Sequence, residues 1–180
     1  MTLTRLEDLP PVPPGAARGA LLGDLVARPG REAALKLVQP LRDAGVELLV
    51  ANGENASGGT GIAAKEARLL LEGGFDALTT GNHVWKHKEV LKLLDEEPRL
   101  LRPLNYPPGT PGVGHRLFPL PGGGALLLAS LLGRTFLEPV DCPFRSMDAV
   151  LAEHGLGAPA WPPAPDAPPG GPPRVPSLVD

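Results

Sequence analysis

Among 180 residues there is one cysteine, Cys142, so no disulfide can form within the chain. Aromatic residues make up only 4% of the sequence, and the core must therefore be built mostly from Leu, Val and Ala. No apolar run approaches the about eighteen residues a membrane-spanning helix needs. The N-terminus carries acidic Glu7 and Asp8 followed by prolines, unlike a secretory signal. Charge of either sign is also lacking in excess. With 17 basic and 20 acidic side chains the net charge is -3, which leaves no electrostatic footprint for nucleic acid or an anionic membrane. These absences predict a cytoplasmic protein with no membrane partner and no stable nucleic-acid partner. Histidine is scarce as well: His83, His87, His115 and His154 are all there is.

Proline and glycine are abundant, at 24 and 23 residues, and their placement divides the chain. Pro10, Pro11, Pro13 and Pro14 fall in one block, and nine more prolines lie from Pro159 to Pro176. Such blocks read as unfolded or polyproline-like. The expected organisation is a Pro-rich leader over 1–17, a folded domain over 18–156 and a Pro-rich tail over 157–180. One domain of this size can still bury a layered core.

Within the domain the pattern is α/β. Gly19–Gly23 is a short apolar strand. Pro29 suits the first turn of a helix, where its missing N–H costs nothing. That helix carries Ala33, Ala34, Leu37, Val38 and Leu41 as its apolar stripe, with Pro40 inside and Gly45 as its stop. Val46–Ala51 is a second strand, followed by a Gly-rich loop over 52–61. Ile62–Leu71 is a helix facing inward through Ala63, Ala67 and Leu70. Phe75–Thr80 is a third strand, and Lys86–Glu96 a third helix with Val90, Leu91 and Leu94 on its apolar side. Residues 102–114 are irregular. His115–Leu120 and Ala125–Ser130 flank Pro121-Gly122-Gly123-Gly124 and read as a hairpin. A short helix over Phe144–His154 follows, with Met147, Val150 and Leu151 apolar. Strand–helix alternation followed by a hairpin predicts a mostly parallel sheet.

Three expected strand ends are polar: Gly23-Asp24, Asn52-Gly53-Glu54-Asn55 and Gly81-Asn82-His83. In open α/β sheets ligands bind outside the carboxyl ends of the strands. Gly, Asn and Asp also favour turns, so each cluster taken alone is explained by turn chemistry. Taken together they suggest a metal-assisted phosphoester site. Hydrolysis of a phosphodiester needs a nucleophile at neutral pH and neutralisation of charge on oxygen, and two divalent ions about 3.5–4 Å apart supply both. Asp24, Glu54, Asn55 and Asn82 offer hard oxygen donors for Mn, Fe, Mg or Zn. His83 could protonate a leaving oxygen or stabilise phosphoryl oxygens. The bland alternative makes His83 a cap before the third helix.

Two other motifs compete. Gly59-Thr60-Gly61-Ile62-Ala63-Ala64 fits a Gly-x-Gly-x-x-Ala dinucleotide fingerprint, but a long loop separates it from its strand, and the acidic candidate Asp76 lies near the start of the next strand. His83 and His87 stand four apart like a zinc-protease pair, but Val84 holds the place of the required Glu. His87 is read as a solvent-facing helix residue and His115 as a strand residue.

The ordered set of motifs carries a resemblance. Gly23-Asp24 with Arg28-Pro29-Gly30-Arg31, Asn52-Gly53-Glu54-Asn55 with Gly59 and Gly61, and Gly81-Asn82-His83-Val84-Trp85 come first. Arg102-Pro103-Leu104-Asn105-Tyr106-Pro107, Gly109-Thr110-Pro111-Gly112, Gly133-Arg134-Thr135-Phe136 and Pro143-Phe144 follow. Over residues 18–156 the chain resembles the YmdB-type calcineurin-like metallophosphoesterases. The resemblance implies the first half of a metallophosphoesterase α/β sandwich. It also implies a dinuclear phosphodiesterase that hydrolyses cyclic nucleotides such as 2′,3′-cyclic AMP by metal-activated hydroxide attack. By this resemblance Asp24 is a terminal metal ligand and Glu54 a bridging one. Asn55 and Asn82 are ligands or stand directly behind them, and His83 is catalytic. Asn105 and Arg134 line the substrate cleft or else only stabilise their loops. The two ions would be Fe or Mn, with Mg or Zn also compatible. The family continues with an Asp-Phe-His-Ala-Glu and a Gly-Thr-His-Thr-His segment that supply three more histidine ligands. The 180 residues stop at Ser177-Leu178-Val179-Asp180. The expectation is therefore a truncated chain of impaired activity that forms a homo-oligomer or is complemented by a C-terminal chain. The alternative is a non-catalytic remnant or interaction module that keeps the fold's first half.

Overall fold

The computed structural model describes residue 6 and residues 9–156, so the expected tail over 157–180 lies outside the described residues. The elements run β1 (Gly19–Asp24), α1 (Ala27–Asp43), β2 (Leu48–Asn52), α2 (Ala64–Glu72) and β3 (Ala77–Thr79). A 3-10 turn (Asn82–Lys86), α3 (Glu89–Glu96), β4 (Leu100–Leu101), β5 (His115–Pro119), β6 (Ala125–Ala129) and α4 (Pro143–Glu153) complete them. Strands β1 to β4 form a parallel sheet in chain order, and β5 pairs with β6 in a separate antiparallel hairpin.

Side-chain alternation along the strands assigns the two faces. Leu49, Ala51, Leu78 and Leu100 face one way and pack with Ala34 and Leu41 of α1, Ala67 and Leu70 of α2, and Val90 and Leu94 of α3. Leu48, Val50, Ala77 and Leu101 face the other way and pack on Phe118 of the hairpin, with Leu126 and Leu128 behind it. The result is a helical layer, a parallel sheet and a hairpin layer. At β1 the hairpin face is open: Leu21, paired with Val50, is 69% exposed. Among the described residues no helix is long and apolar enough to cross a membrane.

Helix ends fix where the strands begin. Gly45 has φ +79°, and the N–H groups of Gly45 and Val46 donate to the carbonyls of Arg42 (2.9 Å) and Leu41 (3.1 Å). Gly74, with φ +109°, repeats this at the end of α2, where Gly74 and Phe75 donate to Leu71 and Leu70. Both are Schellman terminations, which need a left-handed residue after the cap. The Arg42 guanidinium then donates to the carbonyls of Val46, Glu47 and Gly74 and to Asp76 Oδ2 at 2.7 Å. Val46 and Glu47 are thereby occupied as a connector, and the second strand starts at Leu48 rather than at Val46.

Other expectations shift in the same way. On α1 the buried side is Ala34, Leu35, Val38 and Leu41, while Leu37 is exposed. On α3 it is Val90, Leu93 and Leu94 rather than Leu91. The third helix starts at Glu89, because His87 is extended (φ -110°, ψ 114°) and separates it from the 3-10 turn. His87 is therefore not a solvent-facing helix residue: it is half-buried, with Nε2 3.1 Å from the Thr60 carbonyl. Strand β4 lies just ahead of the expected irregular stretch and is only two residues long.

Candidate metal centre at the carboxyl edge of the sheet

Because the four strands are parallel, β1, β2 and β3 deliver their polar ends to one edge. The β1 end is bulged. Leu22 pairs with Ala51 and Asp24 with Asn52, so Gly23 is an extra residue in the ladder. A bulge re-aims the next side chain, here Asp24. Past β2, Asn52 Oδ1 accepts the Glu54 N–H at 2.9 Å and folds the chain back on itself. The backbone is tied to both neighbours: Leu25 N–H donates to Asn52 O, Ala27 N–H to Asn55 O and Gly53 N–H to Thr79 O, each at 2.9 Å. Gly53 packs closely under the Ile62 side chain, whose Cδ1 would lie 2.8 Å from a Cβ there.

These ties bring four side chains into one hydrogen-bonded chain. Asn55 Nδ2 donates to Asp24 Oδ2 at 2.8 Å, and Asn55 Oδ1 lies 2.9 Å from His83 Nδ1. Glu54 Oε1 accepts the His83 backbone N–H at 3.4 Å and stands 3.5 Å from His83 Nδ1. The chemistry fixes the tautomer. A carboxylate can only accept, so Asp24 takes the amide N–H of Asn55, and the amide oxygen is left facing His83. His83 Nδ1 therefore carries hydrogen, and Nε2 is the ring nitrogen left free. The Glu54 carboxylate lies against Gly81, where any Cβ would overlap its oxygens. The third strand end is thus glycine because Glu54 occupies the space. The Glu54 side chain is 18% exposed and His83 40%.

The remaining predicted residues are placed differently. Asn82 is exposed at the start of the 3-10 turn, beside His83 but outside that chain of bonds. Asn105 is buried to 1% exposure. Its amide donates to the carbonyls of Leu132 and Asp141 and accepts the Leu132 N–H, each at 2.9 Å. All its polar capacity goes to holding the 132–141 loop, so Asn105 bears on a substrate only through what that loop carries. Arg134 is exposed on the loop, in an open depression of about 370 Å³ shared with Val140, Asp141, Cys142, Arg145 and Ser146. Tyr106 was not among the expected site residues. It packs edge-on against Trp85, with centroids 5.0 Å apart. Burial pushes its phenol above the ordinary value, and the Glu54 carboxylate adds to that shift. Its signal was available, as the only tyrosine and part of the Arg102–Pro107 motif. Ser130 was missed too: its hydroxyl donates to the Thr80 carbonyl at 2.9 Å and ties the hairpin to the strand end before His83.

The dinucleotide reading fails on geometry. Gly61 packs against the 3-10 turn, where a Cβ would meet Lys86 and the His83 carbonyl. Asp76 is held by Arg42 at the opposite end of β3.

The model of the family described as YmdB-like protein matches residues 20–159. The chain belongs to the YmdB-like family. The 2′,3′-cyclic-nucleotide 2′-phosphodiesterase of Bacillus subtilis is 40% identical over 139 residues, covering 77% of this chain and 52% of that one. Two solved structures share the fold of this YmdB-like chain. A hypothetical protein from Thermus thermophilus is 45% identical at a TM-score of 0.68, over 74% of this chain and 52% of the other. A phosphatase from Mycoplasma pneumoniae is 26% identical at 0.66, over 74% and 50%. The chain thus spans about half the length of the relatives it matches. The fold is the expected metallophosphoesterase-type α/β architecture, and the family is one of metal-dependent phosphoesterases.

Proposed function

We propose that the edge holding Asp24, Glu54, Asn55 and His83 is one side of a dinuclear phosphodiesterase centre whose substrate class is the 2′,3′-cyclic nucleotides. The observation that carries this is the unbroken chain of contacts from Asp24 through Asn55 and His83 to Glu54. Two carboxylates and an amide oxygen make a hard donor set that suits Mn or Fe, and also Mg or Zn. Asp24, Asn82 and Glu54, the more enclosed carboxylate, would hold the ions, and Asn55 links Asp24 to His83. When bound, the ions supply an acidified water and neutralise charge at phosphoryl oxygens.

The chain's own groups account for the rest. Asn55 and Glu54 hold His83 by Nδ1–H, so Nε2 is free to bond a phosphoryl oxygen or to exchange a proton with the leaving sugar oxygen. Arg134 offers a guanidinium to a phosphate, and Asn105 sets its position by fixing the loop beneath. With only these donors, turnover by the 180 residues is expected to stay near background. Binding is then the sharper test. Calorimetry with 2′,3′-cyclic AMP should show affinity at least tenfold higher with Mn(II) than with a chelator, and Glu54→Gln should remove the difference. Affinity that is independent of the metal, with no hydrolysis, would overturn the proposal and leave the interaction module as the better reading.

A further inference from the structure

The start of β5 and the C-terminus of α4 bring together three residues that the site above does not use. One donor atom from each of His115, Glu153 and His154 lies within 4.8 Å of the other two. The imidazoles meet edge to face, with centroids 5.4 Å apart at 75°, and His115 Nε2 is 3.9 Å from Glu153 Oε2.

A further observation points to a ligand. Among the described residues His154 Nε2 is buried and has no hydrogen-bond partner. A buried polar atom left unpaired is costly, and native structures rarely keep one without a reason. The backbone on both sides is also fixed. His154 caps α4, Gly155 follows at φ +65°, and the N–H groups of Gly155 and Leu156 donate to Ala152 (3.1 Å) and Leu151 (2.8 Å). This is a third Schellman termination. His115 is held by its pairing with Ala129 in the hairpin. The carbonyl end of a helix favours a cation.

We propose that His115, Glu153 and His154 form a second, independent site for a zinc-class divalent ion, clipping the hairpin to α4. Two imidazoles, one carboxylate and a position left for water make a known type of zinc donor set. Bonds of about 2.0–2.1 Å in a tetrahedron require donors about 3.3 Å apart, so the present spacing must tighten. The Glu153 side chain, 64% exposed, is free to swing inward.

The test uses the full chain with Asp24→Ala and Glu54→Ala, which silences the sheet-edge centre, and zinc alone as the probe. Equilibrium dialysis should find one zinc per chain, and zinc should raise the melting temperature, because an ion that binds only the folded state stabilises it. His115→Gln, His154→Gln and Glu153→Gln should each weaken retention at least tenfold and remove the melting shift. Glu153→Gln alters an exposed side chain, so it reads out even where a histidine variant folds poorly. No zinc retained by the parent would overturn the proposal, and so would zinc retained unchanged in Glu153→Gln.

Discussion

Gly81 shows how a single residue shapes the sheet-edge centre. Its φ is -142°, so glycine is not required there by backbone conformation. It is required because the Glu54 carboxylate fills the place of a Cβ. Gly81→Ala is therefore expected to displace the carboxylate at little cost to the fold. Mn(II) affinity should fall about as far as in Glu54→Ala, while urea unfolding shifts by less than about 1 kcal/mol, since only the far end of a flexible side chain must move. Glu97 gives a separate test at the same scale. Arg99 donates to it through Nη2 at 2.6 Å and Nε at 2.9 Å and holds its carboxyl below the ordinary value. A carboxyl lowered on folding stabilises the fold above its unfolded pKa, and that contribution is lost as pH falls through the folded one. Wild type should exceed Glu97→Gln by under about 1 kcal/mol at pH 7, given the partial exposure of the pair. The gap should close on acidification below about pH 4, as followed by urea midpoints. Residue identity made these four side chains stand out in the sequence, because Asp24, Glu54, Asn55 and His83 lie in dense polar motifs. What those motifs do not encode is who bonds whom. Asn105 has the same chemistry as Asn55, but only the fold shows that one is spent on a loop and the other on His83.

At the scale of elements, the two Schellman terminations on α1 and α2 set where the strands start and hence where their ends arrive. Gly45→Ala adds a Cβ in a left-handed conformation with no atom nearer than 3.8 Å, so its effect is backbone strain alone, expected at about 1 kcal/mol. Gly74→Ala carries the same strain and also puts Cβ 2.7 Å from Val38 Cγ1, so it should destabilise more. Thermal melts of the two variants give the order, and equal losses would contradict this account of α2. Periodicity located α1, α2, α3 and the hairpin, because each repeats its pattern over several turns or a full alternation. It failed where tertiary bonds decide. Arg42 turns Val46 and Glu47 into a connector, His87 breaks off the 3-10 turn from α3, and two residues of β4 carry too little pattern to be seen. The bulge at Gly23 likewise exists only in the pairing with β2.

Across the whole molecule, one layer of helices and a two-stranded hairpin sandwich a parallel sheet whose polar ends share an edge. The hairpin covers β2 to β4 but leaves Leu21 of β1 exposed. The Ser130–Thr80 bond and the Asn105 amide fasten the hairpin layer and its following loop near that edge. The parallel order was legible from strand–helix alternation, and with it the convergence of three strand ends. The layer stacking was not, since no local pattern states which face the hairpin covers. The function proposed for this edge requires that the convergence make one cation-binding centre. Electron paramagnetic resonance of Mn(II) titrated into the full chain is the sharpest check, because free and bound ion give distinct signals. Binding that weakens at least tenfold in each of Asp24→Ala, Glu54→Ala and His83→Ala is the predicted result; Mn(II) affinity unchanged in all three would contradict it.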